Sequence, residues 1–232
     1  MIEMHSVVRR FNGPAGQPIT ALDRIDLRIE QGEFVTLVGP SGSGKSTLLF
    51  TIGAMMRPDA GKVILDGKEL DAMGPGARAR LRRTAVGFVF QTFNLIPYLS
   101  CLENLVLAAR LSGDSRRTAV DRSSQMLQRL GLGERVRHRP SELSVGERQR
   151  VALGRAVIHR PRVLLADEPT GNLDPASTEQ VMDLLRELHA EGQTIAMVTH
   201  DPRLAETGER VIGLRAGRLV EDRPSMAKGA VT

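Results

Sequence analysis

Apolar and polar positions alternate over Ile2 to Phe11 and again over Ala21 to Ile29, where Leu22, Ile25, Leu27 and Ile29 face one way and Asp23, Asp26 and Arg28 the other. That two-residue period predicts two half-buried strands, and Asn12 to Pro18, with Gly13, Pro14, Gly16 and Pro18, reads as the loop between them. The uninterrupted apolar run Phe34 to Val38 predicts a fully buried strand, followed by a glycine-rich loop and a helix over Lys45 to Ile52. Further strands are expected at Lys62 to Leu65 and Ala85 to Phe90. The middle of the chain then changes to helical spacing. Ser100 with Glu103, and Ser144 with Glu147, have the form of capping boxes that open helices, the second running to about His159. A helix over Thr118 to Leu130 is expected to end at Gly131. Strands return at Val163 to Ala166 and Thr194 to Val198, with a helix over Thr178 to Ala190 between them and a hairpin around Ala216 and Gly217. Strand and helix alternate at both ends and helices stand alone in the middle, which points to an α/β core interrupted by a helical subdomain.

Composition narrows the picture. The 232 residues are 41% hydrophobic and 25% charged, the mixture of an ordinary globular chain. Aromatic residues make up only 3%, with no Trp, which counts against recognition of nucleic acid by base stacking, and no nucleic-acid partner is expected. The single cysteine, Cys101, excludes an internal disulfide and any cysteine-rich metal site and fits a reducing compartment. Residues 78 to 162 hold 17 Arg against six acids, so a basic middle sits within an acidic frame. Solvated helix faces explain such a distribution; a surface near phosphates or anionic lipid is the alternative. No apolar stretch has the form of a signal peptide or a membrane span, and the N-terminus is expected to be that of a mature protein.

Chemistry enters at Gly39-Pro40-Ser41-Gly42-Ser43-Gly44-Lys45-Ser46, a phosphate-binding loop pattern placed between an expected strand and an expected helix, with Thr47 following. In that setting backbone N–H groups and the helix N-terminus converge on phosphate oxygens, Lys45 reaches the β- and γ-phosphates and the Ser46 hydroxyl serves Mg²⁺. The apolar strand Val163 to Ala166 ends in Asp167 and Glu168, which allows one carboxylate to serve the metal and the other to orient or deprotonate water.

These residues resemble the ATP-binding cassette (ABC) ATPase family over about residues 1 to 222. The most specific match is Leu143-Ser144-Val145-Gly146-Glu147-Arg148-Gln149, similar to the family signature LSGGQ, with Val145 in place of a glycine. Gln91 matches the Q-loop, Gly171-Asn172-Leu173-Asp174 the D-loop and His200 the switch histidine. The resemblance implies a P-loop NTPase core of ABC ATPase type, formed by about 1–94 and 161–222, with an N-terminal antiparallel β subdomain. It also implies an inserted helical subdomain at about 95–160 and a flexible tail over 223–232.

The cofactors implied are ATP and Mg²⁺. Glu168 would be the general base, with His200 and Gln91 as further catalytic groups beside Lys45, and Ser46, Gln91 and Asp167 around the metal. Ser144, Gly146, Glu147 and Asp174 would meet nucleotide across a head-to-tail homodimer that binds two ATP. Phe11, where the family often has an aromatic residue on adenine, is equally readable as a strand-end core residue. The resemblance is nearest to small bacterial cassettes of the macrolide-export and lipoprotein-release type, through Gly171 to Asp174 and Phe93-Asn94-Leu95-Ile96-Pro97 followed by Glu103-Asn104. It implies an integral-membrane permease partner and a peripheral place at the cytoplasmic face of the cell membrane. The alternatives are an importer ATPase, which the short C-terminus disfavours, and a soluble ABC protein. Phe93, Leu95, Ile96 and Tyr98 are the expected docking residues, the alternative being a local core cluster.

Overall fold

The computed structural model describes residues 1–13 and 16–226. In chain order the elements are β1 (Ile2–Asn12), β2 (Pro18–Ile29), β3 (Phe34–Val38), α1 (Lys45–Ile52), β4 (Ala60–Leu65), β5 (Lys68–Glu69), α2 (Pro75–Ala85), β6 (Val86–Phe90), α3 (Cys101–Ser112) and α4 (Arg116–Arg129). After them come α5 (Val145–Val157), β7 (Val163–Asp167), α6 (Pro175–Ala190), β8 (Thr194–Val198), α7 (Pro202–Ala205), β9 (Arg210–Arg215) and β10 (Arg218–Pro224). The chain forms two compact units, residues 1–82 with 192–232, and residues 83–191.

In the first unit, β1 pairs antiparallel with β2 and with β4, and the short β5 extends the sheet beyond β4. The alternating pattern of β1 and β2 buries Ile2, Met4, Leu22, Ile25 and Ile29 on one side. The second set of strands is parallel: β3 lies between β8 and β9, and β10 folds back antiparallel on β9. Every residue of β8 is buried, as are Phe34 to Leu37 of β3, which is why both read as continuous apolar runs without alternation.

The second unit holds the parallel pair β6 and β7 together with the helices α3 to α6. Cys101 and Leu105 of α3, Leu127 of α4 and Val151 of α5 share a core with Leu130, Leu132 and Leu143. Burial pushes the Cys101 thiol up to about 11, so it behaves as a small core group. Both expected capping boxes are formed, at Ser100 with Glu103 and at Ser144 with Glu147.

Three differences from the sequence reading have physical causes. Helix α2 has no counterpart in that reading and takes Ala85 from the expected strand. Its four arginines leave only Leu81 and Ala85 buried, too thin an apolar stripe to show a period. Arg82 fastens it by donating to the Ala54 carbonyl at 2.9 Å. Helix α6 starts at Pro175, three residues early, because proline suits a first helical turn and Asp174 caps it. Residues 223–226 of the tail expected over 223–232 are held in place: β10 runs to Pro224, Ser225 Oγ donates to the Glu206 carbonyl at 2.8 Å, and the Met226 N–H donates to the Glu206 carboxylate at 2.8 Å. Residues 227–232 lie outside the described residues.

Candidate nucleotide site

In the first unit the chain leaves β3 through Gly39, at φ +147°, and enters α1 through Gly44, at φ +107°. A side chain at Gly39 would collide with the Leu214 carbonyl of β9, and one at Gly44 with the Ala21 carbonyl of β2. The loop is thus held against backbone on both sides, which only glycine permits. Helix α1 has no side-chain cap at its start and no acid in its first turn, so no side chain of its own competes for its positive dipole end. Lys45 is buried to 6% exposure, and its ammonium donates to the carbonyls of Gly39 at 2.8 Å and Pro40 at 2.9 Å, leaving one N–H over the loop. Ser43 Oγ is buried without a hydrogen-bond partner. Ser41 and Gly42 are exposed, and Ser46 and Thr47 are half-buried in the first turn of α1.

At the same edge, the Thr199 N–H donates to the Leu37 carbonyl at 3.2 Å, which brings the end of β8 beside the end of β3 and sets the exposed His200 at the carboxyl ends of the parallel strands. Phe11 is half-buried at the end of β1, opposite Ile19, and the Arg9 guanidinium lies 4.8 Å from its ring centre, covering one face.

The second unit gathers the other residues expected to act. Phe90 and Asp167 are partners in the β6–β7 register, so Gln91 and Glu168 leave the two strands side by side. A Cβ added at Gly171 would lie 3.0 Å from Gln91 Nε2 and 3.4 Å from Glu168 Oε2, so both side chains converge on that glycine. Asn172 Nδ2 donates to the Gln91 carbonyl at 3.2 Å, tying the two loops together. Glu168 has φ +48°, a left-handed conformation uncommon for a residue other than glycine, and it turns the chain out of β7.

Ser144 is exposed at the start of α5. Its Oγ accepts from the Glu147 N–H at 3.1 Å, while the Ser144 N–H donates to Glu147 at 2.8 Å and Arg135 adds a contact at 3.1 Å. The backbone of Ser144 first, then Arg135, holds the Glu147 carboxyl below the usual range. Val145 is half-buried in the first turn, and Gly146 is packed against Ser177 of α6. Asp174 accepts from the Ser177 N–H at 2.9 Å and from its hydroxyl at 2.6 Å, which keeps its carboxyl low and commits both oxygens to capping α6.

The four expected docking residues divide. Tyr98 is 83% exposed and Ile96 also faces solvent. Leu95 packs against the α3–α5 core, and the Arg148 guanidinium lies 5.4 Å from the Phe93 ring centre. Sequence reasoning missed what shapes this segment: Asn104, 1% exposed, accepts from the Ile96 N–H and donates to the carbonyls of Ile96, Leu99 and Ser100, while Arg155 donates to the carbonyls of Phe93 and Asn94. Ser177, whose N–H and hydroxyl both bond the Asp174 carboxylate, was missed as well. No pattern in the chain announces such side-chain-to-backbone bonds.

A glycine-clamped phosphate loop at the carboxyl ends of parallel strands, a serine-capped helix ahead of β7 and paired carboxylates closing that strand define an ATP-binding cassette. The ABC transporter family model matches residues 22–171, and the chain belongs to that family. It is 46% identical over 222 residues to the macrolide export ATP-binding/permease protein MacB of Rhodospirillum rubrum, covering 96% of this chain and 34% of that one. It is 41% identical over 224 residues to the probable syringafactin export ATP-binding/permease protein SyfD of Pseudomonas syringae pv. syringae, with the same coverage. The chain spans about a third of the length of the curated relatives it matches. Among solved structures, the dimeric post-hydrolysis state of the ATP-binding cassette MJ0796 bound to ADP and Pi superposes with a TM-score of 0.90 at 37% identity, covering 97% of this chain and 98% of that one. The fold is that of an ABC ATPase cassette.

Proposed function

We propose that this chain binds and hydrolyses ATP as the nucleotide-binding subunit of a transporter of the export or release type. Two copies would bind two ATP molecules head to tail and drive an integral-membrane permease from the cytoplasmic face. The observation that carries the reading is the phosphate loop. The uncapped start of α1, the one uncommitted N–H of Lys45 and the orphaned Ser43 hydroxyl form a cradle rich in donors, suited to a polyphosphate.

Among the described residues no cluster of three or more His, Cys, Asp or Glu could hold a metal ion by itself. That fits Mg²⁺, which takes few protein ligands and draws the rest from phosphate and water. Ser46, Asp167 and Gln91 would supply the protein's share. When bound there, the ion would neutralise negative charge on the phosphates.

The residues of the chain would divide the remaining work. Lys45 and the amides of 39–46 bind and orient the triphosphate. Glu168 accepts the proton of the attacking water, its carboxylate meeting the Gln91 amide beside Gly171. Gln91, meeting Glu168 at Gly171, orients that water, and His200 hydrogen-bonds the γ-phosphate. The exposed Ser144 hydroxyl and the start of α5 offer a γ-phosphate on the opposing copy the same helix-end chemistry. Phe11 offers its uncovered face to the adenine. For the permease, Ile96 and Tyr98 are the exposed contacts, on a segment fixed by Asn104 and Arg155.

Lys45→Ala tests the central observation. Losing a charged donor to phosphate should weaken ATP binding by roughly 10- to 100-fold; unchanged affinity, measured by titration calorimetry, would remove the phosphate loop from the account.

A further inference from the structure

The return from β8 to β9 carries His200, and it is tied down on both sides of that residue. On the strand side, the buried Thr199 donates its N–H to the Leu37 carbonyl of β3 at 3.2 Å. On the other side stands α7. Asp201 opens this helix: its N–H donates to Thr199 Oγ1 at 3.1 Å, and its carboxylate caps the turn by accepting from the Arg203 N–H at 2.9 Å. The Leu204 N–H reaches back to the Asp201 carbonyl at 3.0 Å. A helix of four residues is unstable by itself, because nucleation is unfavourable, so it depends on what holds its ends. Glu206 closes α7, and residues 223–226 hold Glu206. The Arg223 guanidinium donates to both carboxylate oxygens, at 2.6 and 3.2 Å, and the Met226 N–H donates to the same carboxylate at 2.8 Å. The buried Ser225 donates its hydroxyl to the Glu206 carbonyl at 2.8 Å and its N–H to the Glu209 carbonyl at 2.8 Å. A lone surface ion pair would fix little, whereas a bidentate arginine joined by backbone bonds on both sides fixes position.

We propose that Arg223 and Ser225 are positioning residues for His200: by anchoring Glu206 at the end of α7, they fix the side of the return that Thr199 does not, and so set where the imidazole stands. The hydrogen bonds run without a gap from Thr199 through Asp201 and Leu204, the Thr207 N–H continues them to the Leu204 carbonyl at 3.1 Å, and the anchor follows at Glu206. The inference rests on the role given to His200 above and adds to it two residues that act through the backbone.

Arg223→Met in the full chain keeps an unbranched side chain and removes the grip. The Leu204 and Thr207 amides should then exchange with deuterium roughly tenfold faster than in wild type. ATP turnover should fall roughly tenfold with ATP affinity unchanged, since the phosphate loop is untouched. Arg223→Lys, which can still reach one carboxylate oxygen, should recover part of both losses. The loss must also run through His200: in a His200→Ala background, Arg223→Met should lower turnover no further, whereas independent effects would multiply. Unchanged amide exchange, unchanged turnover, a loss of ATP affinity as large as the loss of turnover, or multiplying effects in the double variant would each overturn the proposal. If Arg223→Met does not fold, Ser225→Ala, which removes only the hydroxyl, should shift the same measurements in the same direction, and no shift would overturn the proposal. A wild type without ATPase activity would instead refute the underlying reading, while amide exchange at Leu204 and Thr207 would still decide whether residues 223–226 hold α7.

Discussion

Gly146→Ala puts the contact between α5 and α6 under direct stress. An added Cβ would overlap Ser177 Oγ and lie 2.8 Å from Ser177 Cβ, well inside van der Waals contact. Ser177 cannot simply rotate away, because its hydroxyl and its N–H are both held by Asp174, the cap of α6. Relief must come from separating the helices or from breaking the cap. Overpacking of this kind costs about 1–3 kcal/mol, and partial loss of an aspartate cap about 1 kcal/mol more. A chain of this size loses roughly 2–4 °C of melting temperature per kcal/mol, so a drop of about 5–15 °C is expected by calorimetry or circular dichroism. Adding Ser177→Gly removes the atoms in the way. The double variant should recover the steric part, giving a coupling of about 1–3 kcal/mol in a double-mutant cycle. A single variant that melts within about 1 °C of wild type, or a double variant without recovery, would refute the packing argument.

Other consequences are as specific. Asn104→Ala, which unties the Ile96 to Ser100 turn from four backbone groups, should destabilise the fold by about 2–4 kcal/mol in urea unfolding; a cost under about 0.5 kcal/mol would show the turn holds itself. Cys101 should resist a thiol reagent at pH 8 in the native chain and react at once in denaturant. Because its folded pKa of about 11 lies above the unfolded value of about 9, stability should fall as pH rises through that interval. Glu206, pulled down to about 2 chiefly by Arg223, behaves in the opposite sense. Its contribution is complete above about 4.5 and is lost as pH falls toward 2, and Glu206→Gln should flatten that acid limb.

What the chain disclosed and what it hid follow one distinction. Strands β3 and β8 and helix α1 match the sequence reading to the residue, because a buried parallel strand must be apolar throughout and a phosphate loop fixes where its helix begins. Both capping boxes were legible because four adjacent residues contain the whole interaction. Helix α2 was not, since its seat is a carbonyl 28 residues away that Arg82 reaches. Within the site, Lys45, Asp167, Glu168 and Ser144 are legible as motif positions. The strain at Glu168, the meeting of Gln91 and Glu168 at Gly171, and the inward turn of Leu95 exist only once distant segments pack. Asp174 is legible as a motif position, whereas its bonds to Ser177 in the first turn of α6 are seen only in the structure.

The central claim is that this chain hydrolyses ATP with Glu168 as the base, and Glu168→Gln tests it most directly. With Mg²⁺ present, the wild-type chain should release phosphate from ATP. The variant, similar in shape but unable to take a proton, should bind ATP with the same affinity and turn it over at least about 100-fold more slowly. Equal turnover by the two proteins would contradict the account.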